Sequence, residues 1–382
     1  MGAPWGHPAG RLNCGFDEDS GRAGMVFLQP DMIPAAPLPL QQPVIAPSAR
    51  WQTLWRDAVR DPRELLALLG LDALAVPLSD PAAAQFALRV PRGFVARMRH
   101  GDAHDPLLRQ VLPVLDETRM VPGFGLDAVG DHAARSGHGV IQKYNGRALL
   151  IATGSCAVNC RYCFRRHYPY ADDSAASGGW RDAVGVIAGD ASVHEVILSG
   201  GDPLSLADHK LAELTHALRA IPHIRRLRIH SRLPIVLPER VDTGLLDWLR
   251  GLPWPVAMVV HANHANEFDA TVDAAMARLR GIGITLLNQA VLLRGVNDAV
   301  DALADLCERG YRAGVLPYYL HQLDRVAGAA HFEVTDDKAL ALHAALAARL
   351  PGYLVPKLVR EIAGQPGKTP LTSPQSGILT AG

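Results

Sequence analysis

The chain has 382 residues, 48% of them apolar and 20% charged, with Lys plus Arg equal to Asp plus Glu at 38 each. That length allows one large domain with an appendage or two ordinary ones, and the balanced charge gives no global field to recruit nucleic acid or an anionic membrane. No apolar run approaches the roughly 18 residues of a membrane span, the start MGAPWGHPAGRLNCG is not a signal peptide, and five cysteines, three of them clustered, make no secreted disulfide framework.

A cytoplasmic protein with reduced thiols is therefore expected. Residues 1–46 are rich in Gly and Pro without a sustained period and read as a mobile leader. Met25 is a second candidate start within it, and Cys14 is expected to be inert. From Trp51 the pattern turns helical. SARWQTLWRDAV opens on Ser48 as a capping residue, and DPRELLALLGL has Pro near its start and Gly near its end. RGFVARMRH and DPLLRQVLP continue an N-terminal helical region that is assigned to 47–135.

From 136 to 350 short apolar runs alternate with amphipathic stretches. The runs are RALLIAT (147–153), HEVILSG (194–200), RRLRIHS (225–231), PVAMVVH (255–261), GITLLNQAVLL (283–293) and AGVLPYYLH (313–321). Strands alternating with helices imply an α/β fold with a parallel sheet. Right-handed crossovers then allow either a doubly wound sheet or a partial barrel, and the pattern does not choose. Polar residues gather where the runs end: Cys156 to Cys163, SGGDP, HSR, HANH, Asn288 with Gln289, and HQLD. Parallel α/β folds build their sites at the carboxyl ends of strands, so an enzyme is favoured over a binding module.

The cysteine spacing is Cys-x3-Cys-x2-Cys at 156, 160 and 163. Structural zinc needs four ligands, and His167 is a candidate fourth, so a zinc or other non-catalytic metal protein stays open at this point. A four-iron cluster normally takes four thiolates, and three leave one iron for an exogenous ligand. This spacing followed by an aromatic, after a first strand and before βα repeats, resembles the radical S-adenosylmethionine (SAM) superfamily. The resemblance implies a partial (β/α)6 barrel, a [4Fe–4S] cluster on Cys156, Cys160 and Cys163, and SAM on its free iron. SGGDPL, with Ser199, Gly200, Gly201 and Asp202, then corresponds to the segment that meets the SAM amino group, glycine allowing close backbone approach.

CAVNCRYCFRRHYPY, LSGGDPL, LRIHSRLPIVLPERV, HANHANE, LLNQAVLLRGVND, PYYLHQLD and PGKTPL together resemble the lysine 2,3-aminomutase family over roughly residues 50–375. The likeness is strongest to its short bacterial branch, which makes β-lysine for elongation factor P. It implies pyridoxal 5′-phosphate (PLP) bound through Lys368 in the C-terminal segment 351–382. It implies that Arg165 grips the substrate carboxylate, a task suited to a guanidinium fork. Lys143, Tyr144 and Arg147 correspond to the PLP phosphate and ring contacts, with lysine at 143 where arginine is usual. Asp324 and Glu361 correspond to partners of the substrate side-chain ammonium, and His261 and Gln289 to SAM-side contacts. The surroundings of Glu361 depart from the family pattern, and His321 replaces a tyrosine of the longer enzymes. The chain carries no cysteine after Lys368 to match their zinc-binding tail, and Cys307 reads as a packed helix residue.

The implied activity converts (S)-α-lysine to (R)-β-lysine by a deoxyadenosyl radical that removes a Cβ hydrogen while PLP holds the migrating nitrogen. A separate ligase would attach the product to elongation factor P, and a reductant protein such as flavodoxin would supply the electron. The alternatives are free-lysine metabolism or another amino acid as substrate. Homo-oligomerisation stays open.

Overall fold

The computed structural model describes residues 51–372, apart from Ala75, Ser174 and residues 177–179. The expected leader, with Cys14, Met25 and Ser48, lies outside the described residues.

Among the described residues ten strands form one open sheet in chain order. They are β1 (Arg135–Gly137), β2 (Val140–Tyr144), β3 (Arg147–Thr153), β4 (Glu195–Gly200), β5 (Arg226–Ser231), β6 (Val256–Val260), β7 (Thr285–Val291), β8 (Leu316–His321), β9 (Lys357–Arg360) and β10 (Thr369–Pro370). The six expected runs are β3 to β8, all parallel. β9 adds a seventh parallel strand, while β1, β2 and β10 are antiparallel additions at the two edges. These additions are only two to five residues long, too short for a periodic signal.

A doubly wound sheet reverses its strand order at a switch point. Here the order never reverses, so right-handed crossovers carry every helix to the same face and the sheet curls about its other face. That is the partial barrel. Helices Arg181–Gly189, Asp208–Arg219, Thr243–Arg250, Ala270–Gly281, Val300–Arg312 and Asp336–Arg349 separate the strands from β3 to β9. Several begin on side-chain caps, with Asp242 accepting from Leu245 N, Asp269 from Val272 N and Thr335 from Lys338 N.

The strands are not apolar on both faces. Ala148 and Leu150, Val196 and Leu198, Leu227 and Ile229, and Leu320 pack into the core beneath the helices. Their alternating neighbours Arg147 and Leu149, Ile197 and Ser199, Arg228 and His230, and Tyr319 and His321 line the interior cavity. The side-chain period of two separates the two sets. Full burial of a leucine such as Leu198 is worth about 1.5–3 kcal/mol, so the outward set anchors the sheet and frees the inward set for polar work.

The N-terminal region consists of short helices, among them Pro62–Leu68, capped by Asp61 with Pro62 at its first position, and Pro106–Arg109. Leu65, Phe94, Leu107 and Leu108 join the same core as the barrel. Cys307 is buried in helix Val300–Arg312, as expected. Among the described residues no helix is long and apolar enough to cross a membrane.

Candidate active site

A cavity of about 600 Å³ opens on the inner face of the sheet. Every residue that the family resemblance singles out for chemistry lines it: Cys156, Cys160 and Cys163, Arg165, Ser199 to Asp202, Lys143, Tyr144, Arg147, His261, Gln289, Asp324, Glu361 and Lys368; His167, the candidate zinc ligand, does not.

The cysteines lie on the irregular loop after β3, and the N-terminal region holds that loop in place. Trp55 Nε1 and Arg89 Nη1 donate to the Cys156 carbonyl at 3.3 and 3.0 Å, and Arg161 N donates to Gln110 O at 2.9 Å. Between the second and third cysteines Arg161 is fully buried. With Arg166 it grips the buried Glu117, whose Oε2 accepts from Arg161 Nη2 at 2.5 Å and Arg166 Nη2 at 2.8 Å. Arg232 Nη1 donates to Cys160 Sγ at 2.7 Å. Burial pushes the Cys163 thiol up to about 11, with a like-charge push from Cys160. Burial raises Cys156 as well. Thiols in this setting ionise only when a metal takes up the charge.

The glycines of SGGDPL serve packing within the protein. A Cβ on Gly201 would fall 2.4 Å from the Ser155 carbonyl, and one on Gly200, at φ +111°, 2.6 Å from that of Thr153. Gly201 N and Asp202 N donate to those same two carbonyls at 2.7 Å. The loop after β4 is thereby sewn to the cysteine loop. The Asp202 carboxylate is taken up within the protein. Oδ1 accepts from Ser231 Oγ and Leu204 N, and Oδ2 from Arg232 N and Leu233 N, so all four bonds organise neighbouring loops.

Lys368 sits at the far end of a hairpin. Its Nζ is 3.0 Å from Glu361 Oε2, and Tyr144 OH donates to Glu361 Oε1 at 2.6 Å. Burial alone would raise the Glu361 carboxyl. Lys368, Tyr144 and Lys143 outweigh it and hold the group below the usual carboxylate range. Lys143 Nζ donates to Val129 O at 2.7 Å, lies 2.7 Å from Asp131 Oδ1 and is 3.6 Å from Glu361 Oε1, so its ammonium faces carbonyl and acidic oxygens. Arg165 Nε meets Asp131 Oδ2 at 2.7 Å, and its Nη1 donates to Ser199 Oγ at 3.2 Å. Asp324 has no such partner. It is part-buried in the cavity wall, and depth in the fold pushes its carboxyl up to about 7 against the pull of Lys368.

Three buried polar atoms facing the cavity, His261 Nε2, His321 Nε2 and Gln289 Oε1, find no hydrogen-bond partner among the described residues. Burial drops His261 to about 4 and His321 well below the usual histidine value, so both rings are neutral. Asp131, Arg228 and Tyr319 also line the cavity without having been singled out from the sequence, beside His230 of the HSR cluster. Asp131 carries no motif; Arg228 and Tyr319 were legible only through the period-two alternation that puts them inward.

No protein-family model matches the chain. It is 51% identical over 323 residues to the L-lysine 2,3-aminomutase of Escherichia coli (strain K12), spanning 84% of this chain and 94% of that protein. Against the L-lysine 2,3-aminomutase of Haemophilus influenzae the identity is 44% over 86% of this chain and 97% of that one. The chain belongs to the lysine 2,3-aminomutase family. As an aminomutase it is an isomerase of the radical SAM class, with a [4Fe–4S] cluster, SAM and PLP as cofactors. The Clostridium subterminale member is 35% identical over 71% of this chain and 65% of that protein. A radical SAM methyltransferase from Sphaerobacter thermophilus superposes with a TM-score of 0.41 and 16% identity over 58% of this chain and 68% of that one.

The residues fit the cofactors of the aminomutase family. His167, the candidate fourth zinc ligand, places Nε2 3.0 Å from the Ala327 carbonyl. Among the described residues no three His, Cys, Asp or Glu side chains converge to hold one metal ion. A four-iron cluster does not ask for convergence, because each thiolate binds its own iron. Cys156, Cys160 and Cys163 would hold that cluster. The orphaned atoms of His261, Gln289 and His321 offer partners to a polar ligand such as SAM. Lys368 would hold PLP, with the cations Arg147 and Arg228 on adjacent inner faces for its phosphate.

Proposed function

We propose that this protein is a lysine 2,3-aminomutase that moves the α-amino group of (S)-lysine to Cβ, giving (R)-β-lysine. The observation that carries the reading is one cavity containing three cysteines, Lys368, the cation Arg165 and the carboxylates Asp324 and Glu361. Such a set suits an amino acid with a cationic side chain. When bound, the cluster with SAM supplies a carbon radical able to take hydrogen from an unactivated carbon, and PLP supplies a carbonyl carbon for the migrating nitrogen.

The chain's own residues bind and orient. Arg165 is pre-set by Asp131 and Ser199, so its fork reaches a substrate carboxylate with little further ordering. Asp324, unpaired and on the wall, is the acceptor for the side-chain ammonium. Glu361 orients the Lys368 nitrogen, which lies 3.0 Å from its Oε2, and accepts a hydrogen bond from the Tyr144 hydroxyl. His261, His321 and Gln289 keep neutral polar atoms turned to the cavity. Enclosure keeps water from a reactive radical.

The proposal extends to elongation factor P as the destination of β-lysine, through a separate ligase in the cytoplasm, with a flavodoxin-like reductant. Support comes from likeness: the chain is 51% identical to the Escherichia coli relative over 94% of that protein, against 35% over 65% of the clostridial one. Anaerobic reconstitution with iron, sulfide, PLP, SAM and reductant, followed by chiral analysis of lysine, tests the reaction. Absence of β-lysine with all cofactors bound would overturn it. The mass of elongation factor P from a strain lacking this protein tests the destination; an unchanged mass would refute it.

A further inference from the structure

Between Arg165 and Lys368 runs a row of side chains of alternating charge. Arg165 Nε is 2.7 Å from one oxygen of Asp131, and the other oxygen is 2.7 Å from Lys143 Nζ. Lys143 Nζ is 3.6 Å from Glu361 Oε1, and Glu361 Oε2 is 3.0 Å from Lys368 Nζ. The five side chains are only 3% to 20% exposed, so solvent ions screen these contacts weakly. The row begins at the expected carboxylate anchor and ends at the expected PLP lysine, and of the three members between them Asp131 and Lys143 touch neither reaction partner in the reading above.

Lys143 is the member that can shift. Its ammonium is a point charge on a flexible stem, shared between Asp131 at 2.7 Å and Glu361 at 3.6 Å, whereas a guanidinium would fix both contacts in one plane. A ligand carboxylate arriving at Arg165 competes with Asp131 for the guanidinium. Asp131, with less of Arg165, draws Lys143 closer. Glu361, with less of Lys143, is then left to Lys368, and a free Lys368 ammonium becomes easier to hold.

Resting on the proposed function, we propose that Asp131 and Lys143 are positioning residues that couple an α-carboxylate bound at Arg165 to release of Lys368 from PLP. The device lets an α-amino acid exchange its amine for that of Lys368 more readily than a plain diamine does. Each end of the row has a distinct ligand, and what passes between them is a coupling free energy, not a proton.

The test uses the full chain with PLP bound and follows PLP absorbance during titration with (S)-lysine or with 1,5-diaminopentane, which has the same ammonium but no carboxylate. In the unaltered protein lysine displaces Lys368 at the lower concentration. Lys143→Met and Asp131→Asn should each keep PLP and shrink that preference by about tenfold, the scale of such couplings, and Lys143→Arg should restore part of it. An undiminished preference in both variants overturns the coupling. Loss of PLP from Lys143→Met also overturns it, by assigning Lys143 to cofactor binding. Failure of the underlying reading looks different: the unaltered protein then shows no PLP band, or keeps the band in Lys368→Ala.

Discussion

Glu361 faces Lys368 at 3.0 Å because β9 and β10 pair with Thr369 opposite Arg360, which makes these two residues the next pair out of the ladder. Seven positions of Gly- and Pro-containing chain separate them in sequence, yet the hairpin register aligns their side chains. Substituting Glu361→Gln keeps the shape and removes the charge. Losing one partner of a largely buried pair costs about 3 kcal/mol, or roughly 100-fold in rate when the pair orients a reacting nitrogen. Steady-state kinetics with lysine should show that fall in kcat/KM, and a value near the unaltered protein's would refute it.

Asp324 gives the cavity a pH dependence. Burial pushes its carboxyl up to about 7, Lys368 opposes the shift and Glu361 adds to it. A carboxyl must be ionised to hold an ammonium, so KM for lysine should rise as pH falls below 7, by about tenfold per unit. The stability effect has the opposite sign. A folded value above the unfolded one means that the native state binds the proton more tightly. The contribution is present below about pH 4 and is lost as pH rises through 7. Melting of cofactor-free protein should therefore decline less between pH 5 and 8 in Asp324→Asn, and parallel curves would contradict this.

Among the described residues Glu117 is the carboxylate that pairs with both Arg161 and Arg166, in a fully buried cluster. Replacing it with Gln leaves two buried guanidinium charges uncompensated, at a cost of about 3–5 kcal/mol. Since Arg161 stands between Cys160 and Cys163, iron and sulfide content should drop together with the melting temperature. Full iron loading in Glu117→Gln would show that the cysteine loop holds its shape unaided.

Metal analysis separates the cysteines by role. Purified anaerobically, the protein should hold about four iron and four sulfide per chain, with zinc at trace level. Cys160→Ala should abolish the iron. Cys307→Ala should leave it intact and cost about 1 kcal/mol from a small cavity in its helix. Equal loss in both variants would mean global unfolding rather than a cluster site.

Gly201→Ala tests the seam between the two loops. The added methyl meets the Ser155 carbonyl at 2.4 Å, a backbone atom that cannot swing aside. The loop after β4 must lift, so SAM affinity measured by calorimetry should fall while PLP binding through Lys368 stays. Unchanged SAM affinity would mean that the seam does not shape that site.

Much of the site was legible because its residues are local signatures. Cys156, Cys160 and Cys163 fall within eight positions, SGGDPL is contiguous, and Lys368 lies in a short Gly/Pro loop. The six strands were legible because each is a continuous apolar run between helices. Other features were not. β9 and β10 are four and two residues long, and no periodicity can develop over such spans. What the Asp202 carboxylate bonds to, in loops distant in sequence, is likewise not recorded in the motif that contains it.

The sequence by itself determined the α/β repeat, the family and many of the side chains that line the cavity, since covalent spacing and side-chain period act over a few residues. Tertiary structure alone decided that Asp131 bridges Arg165 and Lys143, that Glu117 sits between two arginines of the cysteine loop, and which face of each strand meets the core. These depend on contacts between segments distant in sequence. The physical reason is that a buried charge must find its opposite wherever the fold brings one, and nothing local marks the partner.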